Sequence, residues 1–299
     1  MPNSNAETGE LINRLPVVES EHLMIYGAPL DLSRPSPARV YDYLLGGKDN
    51  YAVDREAAER LLHELPNARL GARASRAFLR EAVTYLASVG VRQFIDIGAG
   101  LPMADNTHQI AQRIALDARV VYVDNDPLVL SHARALLADS PQADAQTIVV
   151  DGDPCDPWGI IQHPHVEDHL DLTQPVAVLL VGVLHFVTRQ PVAEEIVRIL
   201  RATIPAGSYI VISHFWDDGT ARTKAAAQVY SEVVTPVTTR TIDQILPFFT
   251  GLELVEPGVT PIGRWLPPLV TCDDIIPIAE RADVCRLPLV CGIGRKGVG

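Results

Sequence analysis

The strongest constraint on the fold is residues 94–127, which read as strand, loop, helix and strand. An apolar run ends at Asp96 and is followed by two glycines, Gly98 and Gly100. A polar stretch of helical character comes next, and a second apolar run ends at Asp124. This order indicates a βαβ unit with a carboxylate at the tip of each strand, where α/β sheets bind their ligands.

The same alternation continues along the chain and predicts an α/β fold with a mostly parallel, doubly wound sheet. The run 176–183 is apolar throughout, as in a central strand buried on both faces. Strands are predicted at 93–97, 119–123, 147–150, 176–183, 209–213, 252–255 and 287–292, with helices near 106–114, 128–137, 192–202 and 223–232.

Three helices are predicted before the sheet. The first begins after Ser36 as its N-cap, has Pro37 in its first turn and stops at Gly46 and Gly47. The others cover 54–65 and 72–89. We therefore predict an arm of little order over 1–33, a helical cap over 34–90 and a ligand-binding domain over 91–299, with cap and domain forming one compact unit.

Composition excludes several classes of function. The net charge is −12 and the sequence pI about 5.1, which disfavours a nucleic-acid partner. No apolar run is long enough for a membrane span, and the polar N-terminus lacks a secretory pattern, so a cytoplasmic location is expected.

Four scattered cysteines predict free thiols. Residues 163–171 have the residue types of a metal site but are expected on a solvated helix face, so no metal is predicted.

The glycine loop indicates which nucleotide the unit binds. A dinucleotide fingerprint needs a third glycine, and this chain has Met103 there, with Pro102 in the turn. S-adenosylmethionine fits better, because three carboxylates can accept its hydrogen bonds. Asp96 can accept from the ammonium group, and Asp124 can accept from the two ribose hydroxyls. Asp153, after the third strand, can accept from the adenine amino group. In the competing interpretation these acids only cap the helices that follow.

Several further motifs resemble an actinobacterial family of Rossmann-like S-adenosylmethionine-dependent methyltransferases, long catalogued as a domain of unknown function. The most specific is RPSPARVYDYLLGGKDNY at residues 34–51. The likeness continues at 96–102, 105–108, 121–127, 175–180, 183–186 and 292–296, and spans about 31–296. The resemblance implies an Asn before the Arg-Ala-Phe-Leu run, where this chain has Ser75. If that Asn supports the cofactor lid in relatives, this chain lacks the same contact.

The resemblance implies a class I methyltransferase fold, with a seven-stranded sheet whose last strand is antiparallel and an N-terminal helical cap. It implies that the stretch around 41–51 closes over the methionine end of the cofactor. The cofactor positions that follow are Tyr43, Gly47, Lys48, Asn50, Asp96, Gly98, Ala99, Gly100, Asp124, Asn125, Asp153, Leu184 and His185.

Methyl transfer needs a base only when the acceptor enters protonated. His185 and His214 follow the fourth and fifth strands and are the catalytic candidates, although each could instead be a packed histidine. Trp216 is the best aromatic candidate for the acceptor pocket. These observations favour a methyltransferase with a small-molecule acceptor, while a cofactor-binding sensor and an NAD-linked oxidoreductase remain alternatives.

Overall fold

The computed structural model of the 299-residue chain describes residues 24–25, 28–29, 31–103, 105–138, 146–265 and 281–297. Two short strands, β1 (Met24–Ile25) and β2 (Ala28–Pro29), form an antiparallel pair inside the predicted arm. Three helices follow: α1 (Pro37–Leu44), α2 (Ala52–Glu64) and α3 (Ala68–Ser88).

Strands and helices then alternate. In chain order they are β3 (Gln93–Ile97), α4 (Thr107–Ile114), β4 (Arg119–Asp124), α5 (Pro127–Ala138), β5 (Thr147–Asp151), α6 (Pro157–Ile161), α7 (Pro164–His169), β6 (Ala177–Val181), α8 (Gln190–Thr203), β7 (Tyr209–Phe215), α9 (Ala221–Val233), α10 (Ile242–Ile245), β8 (Glu253–Leu254), β9 (Thr260–Pro261), α11 (Arg281–Val284) and β10 (Leu289–Arg295). Single 3₁₀ turns lie at Leu184–Phe186, Leu246–Phe249 and Ile262–Arg264.

The main sheet has the strand order β5-β4-β3-β6-β7-β10-β8. Strands β3 to β7 are parallel, and β10 runs antiparallel to β7 over its full length. The predicted α/β fold with an antiparallel last strand is therefore confirmed. The sheet contains eight strands rather than the expected seven, because β8 pairs with β10 at Gly294 and Arg295 while the separate strand β9 pairs with it at Val290 and Cys291.

The strand order places a ligand crevice between β3 and β6. From β3 the chain moves outward to β4 and β5 on one side, then returns to β6 and β7 on the other. Connections leave the sheet in opposite directions at this point, which opens a crevice at the carboxyl ends of the two strands. Gly182, at φ +74°, ends β6 there, so the strand is shorter than the predicted run 176–183.

The N-terminal helices take two different positions. α3 packs through Phe78, Val83 and Leu86 into the same apolar cluster as sheet residues such as Phe94, and so covers one face of the sheet. α1 and α2 form a second apolar cluster with the start of α3 and with Val233 of α9. This second cluster stands over the carboxyl ends of the strands and roofs the crevice.

A buried ion pair fixes α1 against α2. Arg39 Nε lies 2.9 Å from a carboxylate oxygen of Asp54, and both side chains are almost fully buried. Asp54 also accepts hydrogen bonds from the backbone N–H groups of Ser36 and Tyr51. The first helix therefore starts where predicted, but the Ser36 hydroxyl donates to Asp126 beyond β4 instead of capping its own helix.

Within the described ranges, none of the helices combines the length and the apolar character that crossing a bilayer requires. The three cysteines of that part, Cys155, Cys285 and Cys291, are free as predicted, and Cys272 lies outside it.

Candidate functional site

The glycine loop after β3 is shaped by two glycines in the left-handed region. Gly98 has φ +71° and Gly100 has φ +68°, which side chains rarely adopt. A Cβ at Gly98 would lie 2.6 Å from Val183 Cγ2, whereas a Cβ at Gly100 would meet nothing within 4 Å. Gly98 is thus required for packing on the loop after β6, and Gly100 leaves open space for a ligand.

Asp124 at the end of β4 holds this loop in place. Its Oδ2 accepts a 2.9 Å hydrogen bond from Gly100 N, and its Oδ1 accepts one from Asp126 N. Burial raises the pKa of its carboxyl group. Each carboxylate oxygen has a second lone pair, and the side chain lines the cavity at the strand ends. Asp124 therefore holds the glycine loop and still has lone pairs that can accept hydrogen bonds from a ligand.

Asp96 lies at the end of β3 and is 6% exposed. Burial raises the pKa of its carboxyl group to about 6, against the opposing effect of a 2.6 Å hydrogen bond from the Thr107 hydroxyl. Arg76 of α3 also favours the charged form at longer range. A buried carboxylate with so few donors suits a cationic ligand group.

The strand ends and the N-terminal helices enclose a cavity of about 460 Å³, within the usual range for small-ligand sites. Seven of the predicted cofactor positions besides Asp124 line it: Asp96, Gly98, Ala99, Gly100, Asn125, Asp153 and His185. Asp153 is exposed at the rim, where its Oδ1 accepts a 2.8 Å hydrogen bond from Cys155 N.

Four predicted positions of the cap lie outside the cavity lining, namely Tyr43, Gly47, Lys48 and Asn50. The reason is that Asp42 organises this loop internally, accepting hydrogen bonds from Asn50 Nδ2 and Asp49 N. Tyr43 donates to Glu59 Oε1 instead, at 2.6 Å. The cap lines the cavity through Ser36, Pro37, Ala38, Val40, Tyr41 and Leu44, which sequence reasoning did not select.

Leu184 also lies outside the lining and is fully buried. Its backbone carbonyl accepts a 2.9 Å hydrogen bond from Arg240 Nη1. Its side chain packs in the apolar core and so helps to position the 3₁₀ turn, while its role as a cofactor residue stays a prediction.

His185 lines the cavity and has an unusual environment. Its ring stacks on Phe215, with centroids 3.9 Å apart and planes 15° apart. Its Nδ1 is buried without a hydrogen-bond partner among the described residues. Burial, followed by the charges of His214 and Arg240, lowers the pKa of His185 well below its usual value. The imidazole is therefore neutral and retains a lone pair.

His214 has both ring nitrogens engaged. Nδ1 lies 2.7 Å from the Phe215 carbonyl, and Nε2 lies 2.7 Å from Arg240 Nη1. Since a guanidinium only donates, Nε2 accepts and Nδ1 carries the proton. Burial lowers the pKa of His214 to about 4. These bonds leave His214 without a free ring nitrogen lone pair for a substrate.

Arg240 holds the loop that carries His185. It is 2% exposed, and its Nη2 donates a 2.6 Å hydrogen bond to the Val187 carbonyl while its Nε donates to Gln190. Burial lowers its pKa to about 10, so it stays charged near neutral pH. No spacing in the sequence marks Arg240, because its partners in this loop, Leu184, Val187 and Gln190, precede it by 50 to 56 residues.

The aromatic residues of the cavity also differ from expectation. Trp216 lies outside the lining and packs against the apolar cluster that contains Val183, Leu184 and Val187. Phe186, Phe215 and Tyr230 line the cavity instead.

Residues 163–171 contribute nothing to the lining of this cavity, and no cluster of three metal-binding side chains occurs in the part of the chain that the structure describes.

Comparison with known proteins identifies the family of this chain. A family model described as S-adenosyl methyltransferase matches residues 25–297. A presumed methyltransferase from Thermobifida fusca YX is 39% identical with a TM-score of 0.79, covering 90% of this chain and 97% of its own. A DUF574 family protein from Streptomyces avermitilis is 38% identical with a TM-score of 0.80, covering 89% and 99%. No curated protein matches the chain.

The family match spans nearly the whole chain, and the two solved structures share its fold over almost their full length. S-adenosylmethionine is the cofactor of this family, which agrees with the absence of a third glycine at Met103. The chain therefore belongs to the S-adenosyl methyltransferase family and is a methyltransferase that depends on S-adenosylmethionine.

Proposed function

We propose that this enzyme transfers the methyl group of S-adenosylmethionine to a small-molecule acceptor bound under the N-terminal helices. The observation that supports a small acceptor is the cavity itself, which is roofed by α1, α2 and α9 and measures about 460 Å³. A net charge of −12 argues against a nucleic-acid acceptor.

The residues at the strand ends fit the cofactor. When bound, S-adenosylmethionine supplies a methyl group on a cationic sulfur. Asp96 provides a buried carboxylate for the ammonium group, and Gly100 leaves the space beside it open. Asp124 has lone pairs for the ribose diol, and Asp153 at the rim has a carboxylate for the adenine amino group.

His185 is the candidate base in this proposal. It lines the same cavity, it is neutral, and its Nδ1 has no partner among the described residues. Most of the rate enhancement would come from holding acceptor and methyl group in line and close together. The base then removes the acceptor proton as the new bond forms.

Calorimetric titration with S-adenosylmethionine, its demethylated product and NAD tests the cofactor assignment. We expect binding of the first two and none of NAD. Transfer of a radiolabelled methyl group to a metabolite extract, separated by size, then tests the acceptor. Label in the small-molecule fraction supports the proposal, whereas label confined to protein or nucleic acid would contradict it.

A further inference from the structure

The cavity has two chemically different halves. Its charged side chains lie together: Asp96, Asp124, Asp126 and Asp153 follow the strands, and Arg76 of α3 acts on Asp96 through its charge. The other part of the lining, here called the acceptor lobe, is formed by Leu61, Leu65, Ala72 and Tyr230, which belong to one apolar cluster, and by Phe186 and Phe215, whose rings lie beside Tyr230. No charged side chain among the described residues lines the acceptor lobe. An ion placed there would lose its hydration without gaining a partner, so this half favours a neutral ligand.

Aromatic rings form one wall of the acceptor lobe. The Phe215 and Tyr230 rings lie 6.0 Å apart in an edge-to-face arrangement, and the Phe186 and Tyr230 rings lie 6.2 Å apart. Phe215 in turn stacks on His185. Flat aromatic ligands gain from such edge-to-face and stacked contacts beyond the area that they bury.

Two polar groups are available at this wall. His185 offers a neutral imidazole, and burial raises the pKa of the Tyr230 hydroxyl, which therefore stays protonated and can donate a hydrogen bond. A ligand hydroxyl that lies against both groups can donate to the imidazole lone pair and accept from the Tyr230 hydroxyl. A carboxylate has no proton to give to His185, and an ammonium has no lone pair with which to attack the methyl carbon.

We propose that the acceptor is a neutral planar aromatic molecule bearing a hydroxyl group, and that the enzyme methylates this oxygen. This inference rests on the proposed function and narrows its acceptor. The bond between the sulfonium sulfur and the methyl carbon breaks, and its electron pair stays on sulfur as a neutral thioether. A lone pair of the hydroxyl oxygen forms the new bond to carbon. The hydroxyl proton passes to the lone pair of His185 and then to water.

The lowered pKa of His185 is compatible with this role. The acceptor oxygen becomes positively charged as it gains the methyl group, so its proton becomes far more acidic than that of the free phenol. A weak base is therefore sufficient. The cationic sulfonium nearby further disfavours a protonated imidazole before the reaction.

The test compares four ligands of similar size: 2-naphthol, 2-naphthoate, 2-naphthylmethylamine and decahydro-2-naphthol. Binding to the protein saturated with the demethylated cofactor is measured by calorimetry, and methyl transfer is measured by mass spectrometry. We expect 2-naphthol to bind at least tenfold more tightly than the other three and to yield its O-methyl ether. Tighter binding of the carboxylate, the amine or the saturated alcohol would overturn the inference, as would equal binding of all four.

Two matched variants locate the ligand. Ala227 lines the cavity on α9, while Ala225 on the same helix is exposed. Ala227→Phe should lower 2-naphthol affinity and turnover at least tenfold and leave S-adenosylmethionine affinity unchanged, and Ala225→Phe should change neither. Equal effects of the two variants would place the ligand elsewhere and overturn the inference. Failure of the protein to bind S-adenosylmethionine would instead overturn the proposed function.

Discussion

Asp124 illustrates how one side chain serves both the loop and the ligand. It accepts hydrogen bonds from Gly100 N and Asp126 N, and it lines the cavity. If it also binds the ribose diol, Asp124→Ala should weaken S-adenosylmethionine binding by about 1.5–3 kcal/mol, the contribution of hydrogen bonds to a charged group. Calorimetric titration measures this change.

Asp151→Ala is the matched control for that variant. Asp151 ends the neighbouring strand β5 and pairs in register with Asp124, but it lies outside the cavity lining. We expect unchanged cofactor affinity for this control. If Asp124→Ala also binds normally while its melting temperature falls, Asp124 only caps the loop.

The raised pKa of the Asp96 carboxyl group should make cofactor binding depend on pH. In the free protein burial raises the pKa of Asp96 to about 6, and a bound ammonium group would lower that pKa. Protonation below about pH 6 then opposes binding, so affinity should be constant above neutral pH and fall about tenfold for each pH unit below 6. Titrations between pH 5 and 8 check this, with melting temperatures recorded at each pH.

Asp96→Asn is the control for the pH dependence. This variant should bind S-adenosylmethionine weakly at all pH values, and its affinity should change less with pH. The pH dependence that remains would come from Asp124, because burial also raises the pKa of that carboxyl group. The same slope in both proteins would show that another group is responsible.

Replacing His185 should affect turnover, whereas replacing His214 should affect stability. His185→Ala should lower turnover about 10²–10⁴-fold with cofactor affinity retained, as expected for loss of a general base. His214→Ala should instead lower stability by about 1–3 kcal/mol, because Arg240 and the Phe215 carbonyl each lose a partner. Steady-state kinetics and thermal unfolding separate these effects. Normal turnover in His185→Ala would exclude it as the base.

Sequence reasoning found the residues at the strand ends because each lies at the end of an apolar run or within three residues of it. Asp96, Asp124 and Asp153 share one edge of the sheet once the strands are parallel. Tyr230 and Arg240 could not be found in this way, since both reach the cavity region through tertiary packing that no local pattern records. Tyr41 lines the cavity and Tyr43 does not, because nearby residues on a helix face different neighbours.

Among the elements, the roof formed by α1 and α2 depends on the buried pair of Arg39 and Asp54. Asp54→Ala leaves the guanidinium buried without its carboxylate, which typically costs about 3–5 kcal/mol. We expect that loss in chemical unfolding, together with weaker ligand binding, because the same helix start positions Ser36 against Asp126.

Glu195→Ala is the control for Asp54→Ala. It removes a carboxylate paired with Arg198 on the exposed face of α8, where solvent screens the interaction, and should leave stability unchanged. Equal losses in the two variants would show that the buried pair contributes no more than a surface pair.

The sequence predicted where strands and helices begin more accurately than it predicted which strands lie side by side. β3 and β4 begin at the predicted residues, and α4 begins after Asn106 with a capping box formed with Gln109. The division of the last sheet position into β8 and β9 was not predicted, since two-residue strands have no periodicity to detect.

For the whole molecule, the position of α3 predicts how the chain unfolds. Near its start, Ala68 and Ala72 join the apolar cluster of α1 and α2, and its later turns pack on the sheet through Phe78 and Leu86. Because one continuous helix belongs to both apolar clusters, the roof and the sheet should lose structure together. Scanning calorimetry should therefore show a single transition that S-adenosylmethionine shifts upward as a whole. Two resolved transitions, with only the lower one shifted by Asp54→Ala, would show that the roof is an independent unit.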